Sequence, residues 1–185
     1  SYTGTAIATS GSHQSIHGGN YSSDAFLVKF NNNGLRMWGT YYGGVGDEYG
    51  ASCTIDVFGD VYMTGSTTTT TNLVIASLGS HQTIHGGGGS LYDAFLVKFS
   101  NNGILNWGTY YGGTGQDYAF SCTTDAVGNV YIAGITTSNT GTVIASNGSY
   151  QSVSSLGGDA FLAKFNSTGI RQWGTYYGGT GAFDD

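Results

Sequence analysis

Apolar and polar positions alternate along the chain in short runs that predict β-strands. In the run 25–30, Phe26 and Phe30 fall on one side of an extended strand and Leu27 falls on the other. No run shows the 3.6-residue apolar period of a helix, and Gly, Thr and Val are abundant. Both faces of these strands carry apolar side chains, whereas a sheet with one solvated face alternates cleanly. The pattern therefore predicts sheets that are packed between other sheets.

Blocks of sequence recur three times at nearly constant spacing. A run of the form Asp-Ala-Phe-Leu-x-Lys-Phe occurs at 24–30, 93–99 and 159–165. A run of the form Trp-Gly-Thr-Tyr-Tyr-Gly-Gly begins at Trp38, Trp107 and Trp173. Both runs repeat with offsets of 69 and 66 residues. Repetition in register at this period is the signature of an array of equivalent structural units.

Each full repeat is predicted to contain four strands. In the first complete repeat they lie near 49–56, 61–65, 94–99 and 104–111. An Asn-Asn-Gly sequence supplies a tight turn between the last two strands, since Asn and Gly accept positive φ at low cost. The first strand carries small, polar side chains, which suit a crowded position near a central axis. Four-stranded antiparallel sheets stacked radially describe an all-β fold of β-propeller blades.

Blade arithmetic divides the chain into about two and a half blades. Residues 1–45 are predicted to contain an inter-strand loop and the outer two strands of a first blade. The second blade is predicted at 46–113, with a long inserted loop at 66–92, and the third blade at 114–179, with a long loop at 135–158. Residues 180–185 are predicted to start a further inner strand. Propellers typically contain four to eight blades. We expect the chain to be a fragment, to assemble with copies of itself, or to be a trimmed piece. Open sheet edges predict partner strands in each case.

The repeated motifs resemble the bacterial SBBP β-propeller repeat. The resemblance is carried by the Asp-Ala-Phe-Leu-Val-Lys-Phe run, an Asn-x-x-Gly turn, the Trp-Gly-Thr-Tyr-Tyr-Gly-Gly run and an Asp-x-x-Gly-Asn-Val-Tyr run, and it covers nearly the whole chain. The segment Ile-Ala-Ser-x-Gly-Ser-His-Gln is similar to that in large secreted proteins of Bacteroidetes-type bacteria. The resemblance implies a propeller of a secreted or cell-surface bacterial protein. It is specific for the repeat and unspecific for function.

Composition and charge narrow the class of partner. Charged residues are only 9% of the chain and the net charge is −6, which disfavours binding to a phosphate backbone. Aromatic residues are 14% of the chain, enough to build a core despite 33 glycines. No apolar run reaches 18 residues, so no transmembrane helix or membrane insertion is expected.

Histidines in two repeats are the candidate metal ligands. The pairs His13 with His17 and His81 with His85 are each four residues apart. That spacing brings ligands together on a helix, whereas this segment is predicted to be a loop. The third repeat has Tyr150 at the first position. The alternative interpretation is that the first histidine packs or hydrogen-bonds within the loop, a role that tyrosine also fills. No cofactor is predicted.

The aromatic motif offers candidate glycan-stacking residues. These are Tyr41, Tyr110 and Tyr176. The tryptophans of the same motif, Trp38, Trp107 and Trp173, are interpreted as core residues of the sheets. Exposure of the three tyrosines would favour a sugar-binding platform, and burial would favour packing.

Acidic and basic repeat positions have structural interpretations. Asp56 with Gly59, and Asp125 with Gly128, are expected to form turns in which Asp caps backbone N–H groups and Gly takes positive φ. Calcium is the alternative there, but each turn offers few carboxylates.

Three further sets of side chains have open assignments. The lysines Lys29, Lys98 and Lys164 are expected to pair with Asp24, Asp93 and Asp159 or with acids between blades, or to lie at a sheet edge with the ammonium group in solvent. The acids Asp47, Glu48 and Asp117 lie on the Gly-rich links and are a second candidate cation site. The thiols Cys53 and Cys122 are expected to be buried and unpaired.

The sequence as a whole favours a non-enzymatic structural or adhesive module of an extracellular or cell-surface protein. Its expected partners are further blades or copies of itself through open sheet edges. The alternative is a carbohydrate-binding or cell-surface-binding propeller, with glycans as partners. An enzyme is disfavoured because the repeats are closely alike, while a catalytic site breaks such symmetry.

Overall fold

The described chain consists of strands and connecting segments, with no helix. A computed structural model describes residues 7–19, 21–71, 73–139, 143–155 and 157–179. The ten strands are β1 (Ala25–Phe30), β2 (Arg36–Tyr42), β3 (Glu48–Ile55), β4 (Val61–Thr67), β5 (Asp93–Phe99), β6 (Leu105–Tyr111), β7 (Asp117–Thr124), β8 (Val130–Thr136), β9 (Asp159–Phe165) and β10 (Arg171–Tyr177). In these described ranges no helix could span a membrane.

The strands form three successive antiparallel sheets. Two sheets have four strands in chain order, β3-β4-β5-β6 and β7-β8-β9-β10, and the first sheet contains only β1 and β2. The predicted fold class, an all-β array of four-stranded antiparallel sheets of the propeller-blade type, is confirmed. The predicted start of a further strand at 180–185 lies outside the described residues.

Tight turns close the outer hairpin of each sheet. Between β5 and β6 the Gly103 N–H donates to the Ser100 carbonyl at 2.9 Å, and the Ser100 N–H donates to the Ile104 carbonyl at 2.8 Å. Gly103 has φ +80°, a left-handed conformation that glycine adopts without steric cost. The predicted Asn-Asn-Gly turn thus has the conformation that its residues favour.

The long segment between β4 and β5 docks along the outer strand of its own sheet. The Ser77 N–H donates to the Gly108 carbonyl at 2.9 Å, and the Tyr110 N–H donates to the Gln82 carbonyl at 3.1 Å. Ile75, within this segment, is buried. The outer edge of the sheet is therefore partly hydrogen-bonded by the chain itself, which protects it from pairing with other strands.

The inner strands of the two complete sheets lie against each other. The Cys122 N–H donates to the Ser52 hydroxyl at 3.2 Å, and the Thr124 hydroxyl donates to the Ile55 carbonyl at 3.2 Å. Ser, Thr and Cys side chains allow β3 and β7 to approach closely. This places the small, polar strand at the inner side of the array.

Two apolar clusters fill the spaces between consecutive sheets. One joins the first sheet to the second and includes Trp38, Tyr42 and Phe99. The other joins the second sheet to the third and includes Trp107 and Phe165. All seven residues of β5 are buried, because this strand has a sheet on each side. The apolar character of both strand faces is explained by this sandwiching.

Candidate functional site

The tryptophan of each of the first two motifs joins its sheet to the outer turn of the next sheet. Trp38 Nε1 donates to the Asn101 carbonyl at 2.9 Å, and Trp107 Nε1 donates to the Ser167 carbonyl at 3.1 Å. Gly103 lies so close to the Trp38 ring that a Cβ there would stand 2.7 Å from a ring carbon. Trp38 and Trp107 are buried, whereas Trp173 is half-buried. The predicted packing role therefore spans two sheets rather than one.

Substitution of Gly103 by alanine is expected to lower the free energy of unfolding by about 2–4 kcal/mol. The new Cβ would strain the positive φ and collide with the Trp38 ring. Gly34 is the matched control, because it has φ +75° in the equivalent turn and no atom within 4 Å of its Cβ position. Gly34→Ala should cost about 1–2 kcal/mol in chemical denaturation, and equal effects of the two changes would contradict the clash.

The second tyrosine of the first two motifs also reaches into the next sheet. The Tyr42 hydroxyl donates to the Ile75 carbonyl, and the Tyr111 hydroxyl donates to the Ile144 carbonyl at 2.5 Å. The Tyr111 ring centroid lies 5.2 Å from that of Phe161 and 5.7 Å from that of Phe165. Burial raises the pKa of the Tyr111 hydroxyl well above its usual value, so it remains a neutral donor.

The candidate glycan-stacking tyrosines are buried rather than exposed. Tyr41, Tyr110 and Tyr176 are each less than a tenth exposed. The Tyr110 hydroxyl donates to the Thr69 carbonyl at 2.8 Å, and the Tyr176 hydroxyl donates to the Ser138 carbonyl at 2.8 Å. Burial raises the pKa of Tyr176 to about 12. The glycan-stacking interpretation of these residues is corrected, because the docked inter-strand segments cover their rings.

The two histidines of each pair contact different groups. His81 packs its ring 5.7 Å from Phe165 and 6.0 Å from Tyr111, and its pKa is lowered to about 4 by burial and by the nearby Arg171 charge. His85 lies 5.5 Å from the Tyr110 ring, with Nε2 3.1 Å from the Thr67 carbonyl.

In the first repeat, His13 contacts Tyr42 and Phe99, while His17 contacts Tyr41 and accepts from the Asp24 N–H at 3.1 Å. Within the described ranges no three His, Cys, Asp or Glu side chains form a metal-binding group. Each histidine thus has a packing or hydrogen-bonding role in its loop.

A half-buried glutamine amide and an aspartate carboxylate hold the docked segment against its sheet in the first two repeats. Gln82 Nε2 donates to Asp93 Oδ2 at 3.2 Å, and Gln82 Oε1 accepts from the Gly112 N–H at 3.0 Å. The Gly86 N–H also donates to Asp93 Oδ2, at 2.8 Å. Gln14 and Asp24 repeat this arrangement in the first repeat. This role was not predicted from the sequence, although a His/Tyr-Gln segment precedes the Asp at the start of the third strand in every repeat, which was a usable signal.

Asp93 is the most perturbed carboxyl of this network. Its side chain is fully buried, and its Oδ1 has no hydrogen-bond donor. Burial raises the pKa of Asp93 to about 7, against the lowering effect of the donors from Gly86, Gly87 and Gln82, and Asp117 raises it further. His85 Nδ1 lies 3.6 Å from the orphaned oxygen. Folding therefore favours the protonated form of this group.

The acids on the Gly-rich links are bound by donors of the chain itself. Glu48 accepts from the Gly44 N–H at 2.7 Å and from the Thr67 hydroxyl at 2.6 Å. Asp117 accepts from the Gly113 N–H and the Ser138 hydroxyl, each at 2.8 Å. Asp47 accepts from the Ser23 N–H at 2.9 Å. These contacts give the three acids a role in fixing the link between sheets, and no cation is needed to explain their positions.

The Asp-x-x-Gly turns have the expected geometry and also hold the lysines. Asp56 Oδ1 accepts from the N–H groups of Phe58 and Asp60 at 3.0 Å, and Gly59 has φ +82°. Lys98 Nζ lies 3.0 Å from Asp60 and 3.4 Å from Asp56.

The equivalent turn in the third sheet repeats this arrangement. Asp125 caps the turn that contains Gly128, and Lys164 Nζ lies 3.8 Å from it. Lys29 instead contacts the Asn101 side chain and the Gly59 carbonyl. The expected pairing of these lysines with Asp24, Asp93 and Asp159 is wrong, because the first two acids face the glutamine network and Asp159 accepts from Ser155.

The two cysteines differ in exposure. Cys122 is buried as expected, with its pKa raised to about 11 by burial, so it is not a thiolate at neutral pH. Cys53 is exposed, and its predicted burial is wrong. The first sheet has only β1 and β2 among the described residues, so no inner strand covers this face of β3 in the way that β3 covers β7.

A row of aromatic rings missed by sequence analysis crosses from the second sheet to the third. Ring centroids are 6.0 Å apart for Tyr49 and Tyr92, 5.3 Å for Tyr92 and Tyr118, and 6.4 Å for Tyr118 and Phe120. Tyr49 and Phe120 are exposed. Tyr92 is not a repeated residue, since Ser23 and Gly158 stand at the equivalent positions, so the repeats did not draw attention to it.

Comparisons with known proteins give one distant relative. In a search of protein families, none matches the chain. The chain is 28% identical over 165 residues to an uncharacterized WD repeat-containing protein, L264, of Acanthamoeba polyphaga mimivirus. The match covers 85% of the chain but spans only 12% of the length of that protein. The relative and the sheet arrangement together support a tandem-repeat, β-propeller-like module.

Proposed function

We propose that the chain is a non-enzymatic structural module that contributes blades to a larger propeller or filament of an extracellular or cell-surface bacterial protein. One observation carries this proposal: the repeated motif side chains are used to join one sheet to the next. Trp38, Tyr42 and their equivalents in the second sheet cross the gap between sheets, while Asp56 and Asp125 fix turns. The proposed role of the module is that of a spacer, an assembly unit or a display scaffold in the larger protein.

The chemistry of the described side chains supports a non-enzymatic role. The buried thiol of Cys122 has a raised pKa and contacts the Ser52 hydroxyl rather than a histidine. A nucleophilic cysteine requires an adjacent base or a lowered pKa. The buried carboxylates bind backbone and hydroxyl donors of the chain itself. These groups stabilise the array.

The proposed source and location rest on the sequence motifs. The runs that resemble the bacterial SBBP repeat favour a secreted bacterial protein of the Bacteroidetes type. The chain is also poor in charge and rich in hydroxyl side chains. Fractionation of the producing cells, with a membrane-impermeant amine label, tests this location. Recovery of the protein in an unlabelled cytoplasmic fraction would contradict it.

Native mass by light scattering, with negative-stain imaging of the same sample, tests the structural role. We expect rings or linear arrays to form as the concentration rises, because both ends of the array expose aromatic side chains. A well-folded monomer that never assembles, even at millimolar concentration, would contradict the proposal.

A second candidate function, adhesion to carbohydrate, is favoured by the aromatic row. Tyr49, Tyr92, Tyr118 and Phe120 present ring edges and faces near the surface, and tyrosine combines an apolar ring with a polar tip. A glycan array probed with the chain and with Tyr118→Ala tests this function. Equal glycan binding by both proteins would show that the aromatic row is not the carbohydrate-binding site.

A further inference from the structure

The last sheet exposes a face whose residues are buried in the preceding sheets. Tyr177 is 66% exposed, whereas the equivalent Tyr42 and Tyr111 are 0% exposed. Leu162 is likewise exposed, while the equivalent Leu96 is fully buried. We call this surface, formed by Leu162, Trp173 and Tyr177, the terminal face. It is the face that a following sheet covers in the two earlier repeats.

The first sheet exposes the complementary half of the same interface. Phe26 and Phe30 on β1 are both more than half exposed. Their equivalents on β5, Phe95 and Phe99, are fully buried because the Tyr42 ring lies 5.4 Å and 6.0 Å from them. A sheet of this repeat type therefore carries a tyrosine on one face and a phenylalanine pair on the other.

A hydrogen-bond acceptor accompanies the phenylalanine pair. The carbonyls of Ile75 and Ile144, which accept from Tyr42 and Tyr111, lie 2.3 Å and 2.2 Å from the Cβ positions of Gly108 and Gly174. These two glycines leave room for both the carbonyl and the tyrosine hydroxyl. In the first sheet the Ile7 carbonyl stands in the same place, 2.2 Å from the Cβ position of Gly39. The position of this acceptor carbonyl is therefore a property of the repeat itself and does not depend on a neighbouring sheet.

We propose that the terminal face is a docking site for one further blade of this repeat type. This inference rests on the proposed structural function and names its partner by chemistry. The partner must offer two phenylalanines to the Tyr177 ring, a backbone carbonyl to its hydroxyl, and a glycine turn whose carbonyl accepts from Trp173 Nε1. A merely apolar partner would bury the Tyr177 hydroxyl and the Trp173 N–H without acceptors, which is unfavourable.

The test extends the whole chain by one repeat. A second copy of residues 114–179 is placed directly after Gly179, since Thr114 naturally follows the equivalent Gly113. Tyr177→Ala is then made in the original and in the extended chain, and thermal unfolding is followed by circular dichroism. We expect almost no change in Tm in the original chain and a decrease of about 5 °C or more in the extended chain.

Val153→Ala is the matched control. Its equivalents, Ile16 and Ile84, stay exposed even though a following sheet is present in both cases. Val153→Ala should therefore leave Tm unchanged in both chains. Hydrogen exchange provides a second readout, because docking should slow exchange of the Trp173 and Tyr177 backbone amides in the extended chain.

The outcomes separate this inference from the proposed function. An extended chain that folds but tolerates Tyr177→Ala as well as the original does would overturn the docking site and leave the structural role standing. An extended chain whose added repeat stays unfolded would contradict both. Self-association of the original chain that is lost in Tyr177→Ala would support the site, since a second copy presents Phe26 and Phe30.

Discussion

Replacement of Tyr111 by alanine is expected to lower the free energy of unfolding by about 3–5 kcal/mol. The side chain is wholly buried between the second and third sheets, against Phe161 and Phe165. Its loss leaves a cavity and removes the hydrogen bond to the Ile144 carbonyl. Urea denaturation followed by tryptophan fluorescence measures the change.

Two further substitutions separate the ring from the hydroxyl. Tyr111→Phe keeps the ring and should cost only about 1 kcal/mol, because Arg171 Nη1 also donates to the Ile144 carbonyl, at 3.2 Å. Tyr177→Ala, at the exposed equivalent position, should change stability by about 0.5 kcal/mol or less. If alanine at 111 and at 177 had the same effect, burial between sheets would not be the cause.

The wild-type chain is expected to lose stability as the pH rises, because Asp93 must ionise while buried, and Asp93→Asn is expected to abolish this loss. The pKa of Asp93 is about 7 in the folded chain, mainly because of burial, against about 3.9 when unfolded. The folded state binds the proton more tightly, so the wild-type chain loses stability from about pH 4 to pH 7, by on the order of 4 kcal/mol. The free energy of unfolding of Asp93→Asn, minus that of wild type, should rise over this interval.

The difference between proteins is needed because other groups titrate in the opposite sense. His81, with its pKa lowered to about 4, makes the folded chain gain stability as the pH rises from 4 to 6.5. His85 and Asp117 face Asp93 and are present in both proteins. Asp125→Asn is a control, because the pKa of this half-buried acid is lowered by the Asn129 side chain and by turn N–H groups. Its carboxylate stabilises the fold above about pH 4, so the difference curve for Asp125→Asn should be flat from pH 4 to pH 7 and change only at lower pH. A flat difference curve for Asp93→Asn would contradict the raised pKa.

The sequence was sufficient to predict strands, turns and the propeller-like repeat. Alternation of Phe26, Leu27 and Phe30 identified a strand with two apolar faces, and the Gly positions identified its turns. A single strand pattern does not show how strands group into sheets. The three aligned copies do, because they fix the period of the array. Sequence reasoning therefore performs best where the determinant is local or is repeated.

The errors arose where burial depends on a distant segment. A period-two pattern tells which residues share a strand face, but Tyr110 is covered by the segment that contains Thr69 and His85. Nothing local to Tyr110 or Cys53 reports such coverage. The carboxyl of Asp93 was likewise assigned to a lysine, because its glutamine partner lies eleven residues earlier in a segment with no regular structure.

The way in which Tyr42 and Tyr111 hold successive sheets has an evolutionary consequence. Each tyrosine meets the same backbone position of the following repeat, so the joint between neighbours does not depend on which two repeats meet. A gene that gains or loses one repeat by unequal recombination would keep every joint intact, because stability in such arrays is carried by nearest neighbours. The number of repeats can then vary among lineages without compensating mutations, and selection can act on the reach of the protein rather than on its fold.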